Sequence, residues 1–233
     1  MPAKAGTWGG RTAAERHAER RRRLIEAATD IWVESGWAAV TMRGVCARTS
    51  LNDRYFYENF ADRDDLLCAV WDGVRDDLLG QLLAVLAEDR ERPPMETLRS
   101  GIALVVQRTT DDPGWSQIMF GRHLGSAVLE QRRTAILHQA TNIMVRAADP
   151  YLKPDADERG LRVDALVGIG GFVELVTAWH SGLVEVDAQE VIDHCSRIGA
   201  TLAEVYLMPG RASGTRIFRA PVSTEISAGS GQT

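Results

Sequence analysis

Seven side chains within one short stretch, Arg43, Asp53, Arg54, Tyr55, Tyr57, Asn59 and Arg63, carry guanidinium, carboxylate, phenol and amide groups of the kind that meet phosphates and base edges. A guanidinium near the start of a helix can form two parallel bonds to guanine, so Arg54 is the candidate base reader, with Tyr57 and Arg63 as phosphate contacts. The chemistry of catalysis is missing by comparison. His17, His123, His138, His180 and His194 show no metal-ligand spacing with cysteines or carboxylates, and there is no glycine-rich phosphate loop and no nucleophile elbow. The expectation is recognition, with no catalytic residue, no metal and no cofactor.

These groups need short helices to hold them outward. Met42, Val45 and Cys46 make a brief apolar helix pattern that runs into Thr49-Ser50-Leu51, and a second helix opens at Asn52 with Phe56 and Phe60 on its inner side. Thr41 and Asn52 can each cap the helix that follows by accepting from a free backbone N–H. The spacing predicts a helix-turn-helix. Ahead of it, residues 11–36 start as a charged helix, turn amphipathic at Leu24, Ile25, Ala28, Ile31 and Trp32, and stop at Gly36. Arg20 to Arg23 either lie along phosphates or a minor groove, or form an ordinary solvated helix start. Trp37 and Val40 read as packing for the three-helix unit.

The run from Thr41 to Arg63 resembles the DNA-binding domain of the tetracycline-repressor-like (TetR) family. The matches are Thr41, Val45 in place of Ile, Leu51 in place of Val, Asn52 as the cap, Tyr57 and Phe60, with Arg63 at the family's usual Lys. Cys46 and Thr49 replace Ala, Ser50 replaces the turn Gly, and Arg54 replaces a small residue. Ser50 in a left-handed turn costs roughly 1 kcal/mol, and Arg54 suggests an operator of this protein's own. On this resemblance Thr41, Arg43, Asn52, Asp53, Arg54, Tyr55, Tyr57, Asn59 and Arg63 face double-stranded operator DNA. It also implies a small-molecule inducer site in the body and a homodimer contact made by the last two helices.

The bulk numbers are compatible with this. The chain has 233 residues, 45% hydrophobic, and a net charge of −5. Residues 1–63 hold 11 basic against 8 acidic side chains, or +3, and the remainder 16 against 24, or −8. The basic end is the DNA end, and an acidic body discourages non-specific coating. Cys46, Cys68 and Cys195 are too scattered for a disulfide framework. No apolar run is long enough to span a membrane and no signal peptide is visible, so a soluble cytoplasmic protein is expected.

The rest reads as helices: Asp62 to Glu88, Met95 to Thr110, Trp115 to Leu124, Ala127 to Ala148, Asp155 to Gly182, and a last one capped by Asp187. Trp71, Gln107, Trp115, Met119, Phe120, His123, Thr141 and Met144 interleave large apolar groups with a few polar ones, as an apolar ligand cavity requires; core packing accounts for the same residues. Glu174 is either an inducer contact or half of a buried ion pair. Gly168, Gly170 and Gly171 cost about 1 kcal/mol each relative to alanine, which suggests close approach of another helix. Gly168, Gly171, Phe172, Trp179, Ile198 and Leu202 would then lie in a four-helix dimer interface. The expected architecture is all-α: a disordered arm (1–12, with Trp8 unexplained), a three-helix helix-turn-helix DNA-binding domain (13–63), a C-terminal helical ligand-binding and dimerisation domain (64–208) and a flexible tail (209–233). The expected function is a ligand-responsive repressor, the alternative an activator or a regulator governed by a partner protein.

Overall fold

The computed structural model describes residues 12–88 and 92–208. Apart from Thr12, the arm with Trp8 and the tail lie outside the described residues. The described chain is all-α, with nine α-helices: α1 Ala13–Ser35, α2 Met42–Thr49, α3 Asp53–Tyr57, α4 Arg63–Glu88, α5 Pro94–Asp111, α6 Pro113–Phe120, α7 Ala127–Ala148, α8 Glu158–His180 and α9 Ala188–Tyr206.

Local chemistry explains most of the boundaries. Thr12 and Glu15 form a reciprocal capping box at the start of α1, and Asp187 with Glu190 does the same for α9. Thr41 Oγ1 accepts from Gly44 N–H at 3.1 Å, and Asn52 Oδ1 from Tyr55 N–H at 3.1 Å. Gly36, at φ +84°, ends α1. Pro94 and Pro113 stand in the first turns of α5 and α6, where a missing N–H costs nothing. Helix α6 ends at Phe120, four residues short of the expected Leu124, because the chain turns extended at Gly121 and tucks His123 inward.

One continuous core runs from Leu24 and Trp32 of α1 through Phe56 and Phe60 to Trp71 of α4, then on to Trp115, Met119 and Val176. A smaller one gathers Ile102 and Val106 of α5 with Val191 and Ile192 of α9. The last two helices are therefore not chiefly each other's partners: α9 lies on α5, and α8 on α7. Gly199 makes the first of these possible, since a Cβ there would collide with Leu98 of α5.

Candidate nucleic-acid interface and the helices behind it

Helices α2 and α3 are joined through Ser50, which adopts φ +55° and ψ 32°. The left-handed turn sets the angle between them at the strain cost a Cβ carries there. Phe56 and Phe60, both at most 1% exposed, anchor α3 on the core. Its outer side is left free. Arg54, whose side chain is 83% exposed, and Tyr57, 59% exposed, project from it with Asp53. Arg43 of α2 is exposed as well and has no hydrogen bond or ion pair among the described residues. Thr41 and Asn52 spend their side-chain oxygens on the caps.

Three of the expected outward groups turn inward instead. Arg63 donates from Nε to Val40 O and from Nη2 to Trp37 O at 2.8 Å and Ala38 O at 3.3 Å, and lies 5.3 Å from the Trp37 ring centre. It closes the turn before α2 by donating to these carbonyls, of which Trp37 O also accepts from Val40 N–H, so the guanidinium is occupied rather than aimed at phosphate. Tyr55 is half-buried under the guanidinium of Arg20, 4.7 Å from its ring centre. Asn59 donates to Tyr55 O at 2.7 Å, and its own amide oxygen is buried without a partner among the described residues.

The arginines of α1 are also engaged. Arg21 donates to Asn59 O at 2.7 Å and Arg23 to Thr49 O at 2.5 Å. Arg22 is held by Glu19 and Glu26, and Arg20 lies 3.9 Å from Glu58. Two acidic residues missed by sequence reasoning enter here. Glu58 accepts from Arg54 at 3.0 Å, and Glu34 accepts twice from Arg48, at 2.7 and 2.9 Å. The first was legible as an i,i+4 pair; the second joins α1 to α2 and needs the fold.

Behind this unit, Trp71, Trp115, Met119, Phe120, His123 and Thr141 are all at most 7% exposed, while Met144 is half-buried. Gln107 faces solvent. Glu174 does not form a buried pair: it meets Arg133 at the surface, its side chain 57% exposed. Thr141 is satisfied by Leu137 O at 2.8 Å. Several neighbours are not satisfied. Both indole N–H groups of Trp71 and Trp115, the hydroxyls of Ser116 and Ser126, and both ring nitrogens of His123 are buried without a hydrogen-bond partner among the described residues. Neither serine gave any sign in the sequence. His123, between α6 and α7, stands edge-on to Trp32 of α1 with ring centres 5.4 Å apart. Burial lowers its pKa, Arg133 adding to the effect while Glu130 and the Ile118 carbonyl oppose it, so the imidazole is neutral at pH 7.

Three nearby cations are neutralised. Asp72 holds both Arg75, at 2.7 Å, and Arg132, at 3.0 Å, and Asp77 holds Arg108 at 2.5 Å. An open hollow of about 570 Å³ at the end of α4, lined by Gln81, Val85 and Leu104 among others, includes none of the expected ligand residues. Among the described residues no group of three or more His, Cys, Asp or Glu side chains is placed to hold a metal ion, and no helix is long and apolar enough to cross a membrane.

The expected dimer residues divide. Trp179 donates to Val186 O at 2.8 Å and packs on the α5–α9 core, and Phe172 touches both cores, each half-buried within the chain. A Cβ at Gly168 would meet Leu202 Cδ1 at 3.5 Å, whereas one at Gly170 or Gly171 would meet nothing within 4 Å. Ile198 is 57% exposed, and Val163, Val167 and Val205 between 54% and 68%.

The sequence pattern described as bacterial regulatory proteins, tetR family, matches residues 24–70. No curated protein matches the chain. Its fold is similar to that of a TetR-family transcriptional regulator from Pectobacterium atrosepticum, at 19% identity and TM-score 0.62 over 86% of this chain and 100% of that one. It is also similar to a TetR-like regulator from Rhodococcus sp. RHA1, at 13% identity and TM-score 0.59 over 78% and 94% of the two chains. A third likeness is to the fatty acid degradation regulator FadR from Bacillus halodurans, at 14% identity and TM-score 0.60 over 76% and 96%.

Proposed function

We propose that the chain, whose residues 24–70 match the tetR family of bacterial regulatory proteins and whose fold is similar to that of TetR-family regulators, is a dimeric repressor released from its operator when a small, largely apolar molecule enters the helices behind α1–α3. The observation that carries the ligand-responsive part is the set of buried, unpaired polar groups on Trp71, Trp115, Ser116, His123 and Ser126. Such groups cost about 1–3 kcal/mol each when left without a partner, and folded proteins rarely tolerate several together. A ligand that offers oxygen acceptors to the indole N–H groups offsets that cost. It is uncharged, since the arginines around the site already have carboxylate partners.

In this reading residues 13–63 read DNA and residues 64–208 take the ligand and pair the chains in the cytoplasm. A ligand at Trp115 and His123 acts on α1 through Trp32, and so on the spacing of the two recognition helices, by shifting the population of two arrangements. The exposed apolar side chains of α8 and α9, Val163, Val167, Ile198 and Val205, are the dimer surface.

Duplexes selected from genomic fragments with the purified chain provide the assay. Some members of a panel of uncharged apolar compounds bearing a ketone, lactone or phenol oxygen should release the duplex. Trp115→Phe keeps the ring packing and removes the N–H; it should raise the releasing concentration about tenfold at unchanged operator affinity, the worth of one hydrogen bond. Release that is indifferent to Trp115→Phe, Ser116→Ala and His123→Phe alike would overturn the site. For the pairing of chains, Val167→Glu should sediment as monomer and protect one half-site instead of two; an intact dimer would place the interface elsewhere.

A further inference from the structure

Glu58 closes the recognition helix α3, and three side chains from α1 and α3 converge on it. Its carboxylate accepts from Arg54 Nε at 3.0 Å on one side and faces Arg20 Nη2 of α1 at 3.9 Å on the other. Its carbonyl accepts from His17 Nε2 of α1 at 3.2 Å, which requires that nitrogen to carry the proton. A carboxylate thus sits between the most exposed cation of the recognition helix and a second cation beside it. Glu34 repeats the arrangement on α2 by gripping Arg48 with both oxygens.

We propose that Glu58 is a specificity-determining residue, an internal stand-in for a DNA phosphate that Arg54 must leave before it engages DNA. The argument is an exchange. A random duplex offers Arg54 only another anionic oxygen, so a phosphate replaces a carboxylate with little net gain, and the displaced carboxylate remains beside the negatively charged backbone. An operator with guanine at the right position offers two directed bonds to O6 and N7, which the carboxylate cannot match because it reaches Arg54 through Nε alone. Once Arg54 has moved to the base, Arg20 can close on Glu58 and keep its charge neutral. The penalty therefore falls mainly on non-specific binding. This inference takes Arg54 as a base reader, which Arg54→Ala tests independently.

The decisive variant is Glu58→Gln, which retains shape and an acceptor oxygen and removes the charge. Binding is measured for the selected operator duplex and for a scrambled duplex of the same composition, between 50 and 200 mM salt, with thermal unfolding alongside. Affinity for the scrambled duplex should rise roughly three- to tenfold, and its salt slope should steepen by about one to two, the count for one or two added phosphate contacts. Operator affinity should rise less, so the ratio between the two falls. Adding Arg54→Ala to Glu58→Gln should remove most of the gain. Glu58→Asp, which keeps the charge but withdraws it from Arg54, should move both quantities in the same direction by less, and serves if Glu58→Gln folds poorly. An equal rise on both duplexes would overturn the proposal, and so would a selective loss of operator affinity, which would make Glu58 itself a base contact. If Arg54→Ala alone weakens both duplexes equally, the base-reading assignment fails instead.

Discussion

The recognition unit and the helices behind it differ in how much of their buried polar chemistry is paired. In residues 13–63 most long side chains end on backbone carbonyls far along the chain, Arg23 on Thr49, Arg21 on Asn59, Arg63 on Trp37 and Val40, and only Arg20 Nε and Asn59 Oδ1 are buried without a partner among the described residues. Around α6 the polar atoms of Trp115, Ser116, His123 and Ser126 end on nothing. A paired polar group adds about 1 kcal/mol to stability and an unpaired buried one subtracts about 1–3. The difference teaches a division of labour. The first region is braced to present Arg54 and Tyr57 in one geometry, whereas the second, tied at its edge by the Asp72–Arg132 and Asp77–Arg108 pairs, keeps polar capacity in reserve inside. They meet where Trp32 touches His123 and where the missing Cβ of Gly114 leaves room for Val33.

That contrast can be broken most severely at the joint. Trp32 is 1% exposed, and Trp32→Ala should cost about 3–5 kcal/mol and remove DNA binding together with folding. A variant that melts normally would show that the two regions do not share a core. Arg63→Met comes next: it keeps the stem and deletes the carbonyl contacts. A loss of about 2 kcal/mol is expected, discounted because the side chain is 32% exposed and water can partly substitute. Should stability hold while affinity for every duplex drops, Arg63 contacts phosphate and the bracing is not its role.

Acid addresses the second region. The unfolded chain takes up a proton on His123 near its ordinary value of 6.5, while burial keeps the folded form neutral to lower pH. The unfolded state therefore binds more protons within that window, so this contribution is complete above about pH 6.5 and is lost as pH falls below it. His123→Phe should flatten that part of the stability profile; an identical profile in the variant would mean that the ring finds partners. Ser116→Ala removes a hydroxyl that has no partner and should stabilise by about 1 kcal/mol, where deleting a satisfied hydroxyl would destabilise. The smallest effect belongs to Ser50→Gly. Relief of the left-handed strain at φ +55°, partly cancelled by the freedom glycine adds to the unfolded chain, should leave a gain below about 1 kcal/mol in thermal unfolding.

What the sequence determined by itself was local. Thr41, Asn52 and Asp187 announce helix starts because a capping oxygen reaches a backbone N–H only two or three residues away. Leu24, Ala28 and Trp32, or Val191 and Ile192, announce a buried face because helical period is a property of neighbours. The family resemblance rests on the same short-range signals, and the all-α fold follows from them. Tertiary structure alone decided where long side chains end. An arginine can as readily meet a phosphate as a carbonyl 26 residues away, and its residue type does not say which; the fold turned Arg63 and Arg23 inward and left Arg54 out. It likewise packed Trp179 and Phe172 against the chain's own cores, laid α9 on α5 through Gly199, and put Glu174 at the surface with Arg133. An apolar stripe records that a face is covered, but the identity of the covering helix depends on shape complementarity between segments far apart in the chain.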